Sequence, residues 1–201
     1  MPFLNVHSYY SFLDGVISPE RIVNTCKELN INSLALTDKN GMYGLIKFIK
    51  IFRENKLKPI AGTEITEPEN PSISAIFLAR NQLGYSELCH LITSRKLDSN
   101  FSLFTYPYDS FSNLFILTSS IELLSVLQNT PLSLQKTDAV LFAQLYTSKD
   151  KKKDIRELYN FALENKIPVV ASQPIYFLNK EDAEISKIVT CIRTKSTLAN
   201  L

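Results

Sequence analysis

With 201 residues, 45% of them hydrophobic, the chain can bury one sizeable core and is too short for two domains of ordinary size. Lysine and arginine (22) barely exceed aspartate and glutamate (20), and the net charge of +2 excludes a bulk attraction to nucleic acid or to a membrane surface; any such contact has to be local. Three scattered cysteines, Cys26, Cys89 and Cys191, exclude a disulfide framework and a thiolate zinc site, so a reducing cytoplasm is the expected setting.

The opening "MPFLNV" has neither the basic start nor the long apolar core of an export signal, and no apolar run approaches ~18 residues, so no membrane segment is expected. The first strand is "FLNV" (3–6). A helix follows in "SPERIVNTCKELN", with Ser18 as N-cap, Pro19 in the first turn and Ile22, Val23, Cys26 and Leu29 on one face. Further strands are expected at 33–37, 58–65, 72–79, 113–118, 139–145 and 167–172, and further helices at 43–56, 84–96, 153–166 and 180–193. This alternation predicts a single α/β domain over 1–201 with parallel strands. Residues 97–113 carry aromatic side chains without a period and read as an irregular packed loop. Phe101, Phe104, Tyr106, Tyr108 and Phe111 are expected in the core there, or partly uncovered if a larger assembly covers them. The charge run 148–154 reads as a solvated helix start.

In parallel α/β folds the functional groups gather at the carboxyl ends of the strands, where loops converge on a rigid scaffold. Those ends carry Asn5 and His7, then Asp38 and Lys39, then Glu64, and finally the "SQPIY" stretch at 172–176. Asp14, before Gly15, suits a turn; Glu64 suits an ion pair; His7 suits a neutral buried imidazole. His90 is expected on the apolar face of its helix in a structural role. No Gly-rich phosphate loop, nucleophile elbow or H-E-x-x-H is present.

Five blocks, "LNVHSYYSFLDG", "LALTDKNGMYGLIKF", "KPIAGTEI", "FLARNQLGYSEL" and "ASQPIYFLNKEDAEISKIVTCIRTKSTL", resemble in order and spacing the PHP (polymerase and histidinol phosphatase) domain found at the N-terminus of bacterial DNA polymerase III alpha subunits. The resemblance implies a distorted TIM-like (β/α)7 barrel whose strand ends, in active members, hold up to three zinc- or manganese-like ions that hydrolyse phosphoesters.

Carried onto this sequence, the family's opening His-x-His becomes Asn5-Val6-His7, and the Asp of its next segment is Asp14. The His after Thr-Asp38 becomes Lys39, and Glu64 is kept. The next His falls at Ser74, a Cys at Ser120, and the closing Asp-x-His becomes Gln173-Pro174-Ile175. The resemblance thus implies a degenerate pocket with no catalytic residue and no metal expected. Lys39 stands where a ligand belongs and is expected to pair with Asp14 and Glu64.

The leading expectation is a non-catalytic structural domain that supports the polymerase core in DNA replication, packed against the rest of the alpha subunit and offering a surface to a proofreading exonuclease subunit, with DNA met only indirectly. The polymerase's own nucleotidyltransferase carboxylates lie elsewhere in that family. One alternative is a weak metal-dependent phosphoesterase of the exonuclease or pyrophosphatase type, with Zn or Mn on His7, Asp14 and Glu64 and phosphate on Lys39 or Arg80. The other is a single-stranded DNA contact module built on Lys151, Lys152, Lys153 and nearby tyrosines.

Overall fold

The computed structural model describes residues 3–108, 111–130, 140–147 and 151–200. All seven expected strands are present: β1 Phe3–Val6, β2 Ser33–Leu36, β3 Lys58–Thr66, β4 Ser74–Ala79, β5 Leu114–Thr118, β6 Leu141–Leu145 and β7 Val169–Ala171. They form one sheet in sequential order. The sheet curls until its ends meet: His7 N donates to Ile175 O at 2.9 Å and Ile175 N donates to Asn5 O at 2.9 Å, so the residue that completes the barrel lies just past β7. Position 139 and the first part of the charge run, 148–150, lie outside the described residues.

The expectation of an all-parallel sheet is corrected at β4, which runs antiparallel to both β3 and β5. The cause is the connection. Residues 67–73 fold back on themselves through Glu67 N to Ile73 O and Ile73 N to Asn70 O, both 2.9 Å, and so short a link cannot make the crossover that a parallel neighbour requires.

The helices are α1 Pro19–Glu28, α2 Leu45–Glu54, α3 Gln82–Leu97, α4 Ile121–Leu127, α5 Lys152–Glu164 and α6 Lys180–Thr194. Ser18 caps α1 by accepting from Arg21 N at 3.2 Å, and Ile22, Val23 and Cys26 are buried. Leu29, expected on that face, is the C-cap and is exposed, because the helix stops at Glu28. α4 was not expected: seven residues are too few for a helical period to register, although Leu123, Leu124 and Leu127 bury one side of it. His90 is exposed rather than on the apolar face of α3, which buries Gly84, Leu88 and Leu91 instead. Among the described residues no helix is long and apolar enough to cross a membrane.

The aromatic loop after α3 is core. Phe101, Tyr108 and Phe111 are buried, with Phe104 and Tyr106 partly so. Glu67 anchors the loop by accepting from Leu103 N at 2.7 Å, and the Tyr108 hydroxyl donates to Leu103 O at 2.8 Å. Replacing Tyr108 with Phe leaves that buried carbonyl without its partner and is expected to cost about 1 kcal/mol in urea unfolding. An unchanged midpoint would show the hydroxyl to be idle.

Candidate functional site

The ends of β1, β2 and β3 sit side by side, and their polar residues form three linked knots. The first is built on Asp38, only 1% exposed. Its carboxylate accepts from Ser8 N (2.7 Å), from Ser8 Oγ (2.8 and 3.0 Å) and from Ser11 Oγ (2.8 Å). Burial raises its pKa, while those hydrogen bonds pull the other way. Ser8 and Ser11 belong to the loop after β1, so Asp38 ties that loop to the end of β2. Gly15 closes the loop because its backbone lies directly on Ser8: a Cβ there would sit 2.0 Å from Ser8 O.

The second knot surrounds His7, which is fully buried. Its Nε2 is 2.7 Å from Asn5 Oδ1 and 3.3 Å from Glu64 Oε2, its Nδ1 is 3.2 Å from Ser11 Oγ, and its ring stacks on Tyr176 at 4.3 Å. Burial first, then the nearby charge of Lys39, lowers its pKa to about 3, so the ring is neutral. Glu64 accepts from Ser74 Oγ at 2.6 Å through Oε1, while Oε2 is buried without a hydrogen bond. Burial raises the Glu64 pKa, and the charge of Lys39 opposes the rise. Ser74 can reach Glu64 because β4 runs antiparallel, which brings its first residue to the pocket.

The third knot is ionic. Lys39 Nζ donates to Asp14 Oδ2 at 2.9 Å, and Arg193 Nε, reaching in from α6, lies 3.2 Å from Asp14 Oδ1. Lys39 Nζ also lies 5.6 Å from the centre of the Tyr176 ring.

The expected positions therefore divide. Asn5, His7, Asp14, Asp38, Lys39, Glu64 and Ser74 converge on one pocket. Ser120 does not join them; it caps α4, accepting from Leu123 N at 3.2 Å. Gln173 turns outward to accept from Thr147 N and Oγ1 at 3.1 Å, and Ile175 contributes backbone closure. Lys39 pairs with Asp14 but not with Glu64, although their backbones form a bridge. Its four-carbon stem carries the ammonium to Asp14, whose other oxygen Arg193 faces. Arg80 stands at the far end of β4, beside the start of β5, and stacks on Phe115 at 4.9 Å; it is not in the pocket. Sequence reasoning missed Ser8, Ser11 and Arg193, and named Tyr176 only within the 172–176 stretch. The two serines follow His7 within four residues and gave that much signal, whereas Arg193 gave none.

Most of the candidate donors are engaged by other groups. Both Asp14 oxygens face cations, both Asp38 oxygens are filled by serine donors, and His7 Nε2 faces Asn5. Among the described residues, no three His, Cys, Asp or Glu side chains group so as to hold a metal.

A curled seven-stranded α/β sheet with polar groups gathered at its strand ends defines a distorted TIM-like barrel domain of the PHP type. The fold is similar to that of a Bifidobacterium adolescentis protein named as a metal-dependent phosphoesterase, with a TM-score of 0.56 at 11% identity over 94% of this chain and 96% of the other. The PHP domain family model matches residues 4–165, and the chain belongs to that family. DNA polymerase III alpha subunits match nearly all of it: that of Borreliella burgdorferi is 28% identical over 95% of the chain, and that of Buchnera aphidicola from Acyrthosiphon pisum 32% identical over 92%. The chain spans 19% and 18% of those two relatives.

Proposed function

We propose that this domain is a non-catalytic scaffold of a DNA polymerase III alpha subunit, a PHP barrel whose pocket is held by internal ion pairs where active members hold metal. The observation that carries the reading is Lys39 Nζ, 2.9 Å from Asp14 and flanked by Arg193 on the same carboxylate. Two cations on one acid leave no negative field to attract a third. The scaffold stabilises the rest of the alpha subunit and offers a face to a proofreading exonuclease subunit. It requires no cofactor and works in a reducing cytoplasm.

The test is elemental analysis after incubation with zinc and manganese and desalting. Well under one ion per chain is expected. A full equivalent, lost on changing His7 or Glu64 to Ala and accompanied by phosphodiester hydrolysis, would replace the scaffold with a phosphoesterase. Lys39→Ala is expected to cost about 1 kcal/mol, because the pair is only partly buried and Arg193 remains on Asp14. At this chain length that lowers Tm by roughly 2–4 °C. An unchanged Tm would count against the ionic clamp.

A further inference from the structure

Above the pocket lies a surface that the scaffold does not use. Tyr9, Phe12 and Tyr43 are 40, 67 and 82% exposed in the order Tyr9, Tyr43, Phe12, an unusual set of aromatic rings to leave in water. Contacts join Tyr9 and Tyr43 into one patch, and Phe12 lies in the same loop as Tyr9. Tyr9 and Tyr10 pack at 4.6 Å, and the Tyr10 ring lies against Gly44, where a Cβ would come within 2.4 Å of it. Tyr43 precedes that glycine and has Lys96 Nζ 5.5 Å from its ring centre, and Lys47 Nζ reaches the Tyr9 hydroxyl at 3.4 Å.

The patch is rigid. Asp38 clamps Ser8 and Ser11, Asp14 N and Gly15 N donate back to Ser11 O at 2.9 and 3.0 Å, and Arg193 Nε donates to Leu13 O at 3.2 Å. Leu13 is held at φ 59°, which a branched side chain adopts at a cost. The loop accepts that cost while its neighbour Phe12 points into solvent.

We propose that this face is a platform for single-stranded nucleic acid, with Tyr9, Phe12 and Tyr43 stacking on bases and Lys47 and Lys96 meeting phosphates. Exposed rings interleaved with lysines match what a strand with unpaired bases presents, and stacking tolerates any sequence. Lys47 is paired with Glu20 at 2.6 Å, but both side chains are more than 40% exposed, so a phosphate replaces that carboxylate at little cost. Lys151, Lys152 and Lys153 lack this setting: they project from the start of α5, and Lys153 faces Glu157 at 3.8 Å. The proposal stands apart from the scaffold reading, since strand binding and metal content are separate readouts.

Fluorescence anisotropy of a labelled oligodeoxythymidine against the full chain tests it, with a duplex of equal length alongside. The single strand is expected to bind more tightly than the duplex. Phe12→Ala and Tyr43→Ala should each weaken binding roughly 5- to 100-fold with Tm unchanged. Raising salt from about 50 to about 200 mM should weaken it about sevenfold for two phosphate contacts. Three results would overturn the proposal: no binding at low salt, equal binding of duplex, or a loss that follows alanine at Lys151, Lys152 and Lys153 instead of at Tyr43.

Discussion

Replacing Asp38 with alanine is expected to destabilise the domain by about 3–5 kcal/mol, since each buried donor left without its acceptor costs about 1–3 kcal/mol. Three donors, Ser8 N, Ser8 Oγ and Ser11 Oγ, lose their acceptor in the interior. None of them can turn to water without moving the loop, because Ser8 and Ser11 are fully buried and Gly15 packs on the Ser8 carbonyl. For a chain of this length the loss corresponds to a Tm lower by roughly 6–20 °C. Asp38→Asn keeps one acceptor oxygen but sets an amide donor against a serine hydroxyl, so it should fall between alanine and wild type. The order wild type, Asn, Ala in chemical denaturation is the diagnostic outcome. An alanine variant within 0.5 kcal/mol of wild type would mean that water can satisfy the serines and that the loop is not clamped from below.

That clamp was only half legible in the sequence. The strands could be read because each is an apolar run bounded by Pro, Gly, Asn or Ser, and strand ends then placed Asn5, His7, Asp38, Lys39 and Glu64 together. The direction of β4 could not be read from its own residues, since Ser74–Ala79 is as apolar as the strands that pair in parallel elsewhere in the sheet; only the short 67–73 connection carries that information. Asp38 was placed at a strand end without a partner, and its actual partners, two serine hydroxyls and the Ser8 N–H, lie one loop away, which no residue-type argument singles out. Arg193 is 179 residues from Asp14 and arrives through the packing of α6, a tertiary outcome with no local signature. Lys39 was matched to an acid, but its placement on Asp14 and not on Glu64 is a tertiary outcome that strand order does not write.

Burial makes His7 a source of pH dependence in this pocket. Its native pKa of about 3 lies well below the 6.5 of an unfolded chain, so below pH 6.5 the unfolded state takes up a proton that the native state refuses. His7 therefore contributes stability at neutral pH that is lost progressively as pH falls from 6.5 toward 3. Between pH 6.5 and about 4 the loss is on the order of 3 kcal/mol. The neighbouring acids act in the opposite sense. Burial raises the native pKa of Glu64 and of Asp38, so each favours the native state most at low pH and loses that contribution as pH rises through its native value. Comparing wild type with His7→Gln removes the imidazole while leaving both acids in place, and the difference between the two stability curves isolates the histidine. That difference should shrink steadily with acidification, the wild type losing its advantage over the variant. Parallel curves would mean that His7 titrates alike in both states, which its stack on Tyr176 and its full burial do not allow. A neutral ring is also what metal ligation would have required; here its two nitrogens face Asn5 and Ser11 instead.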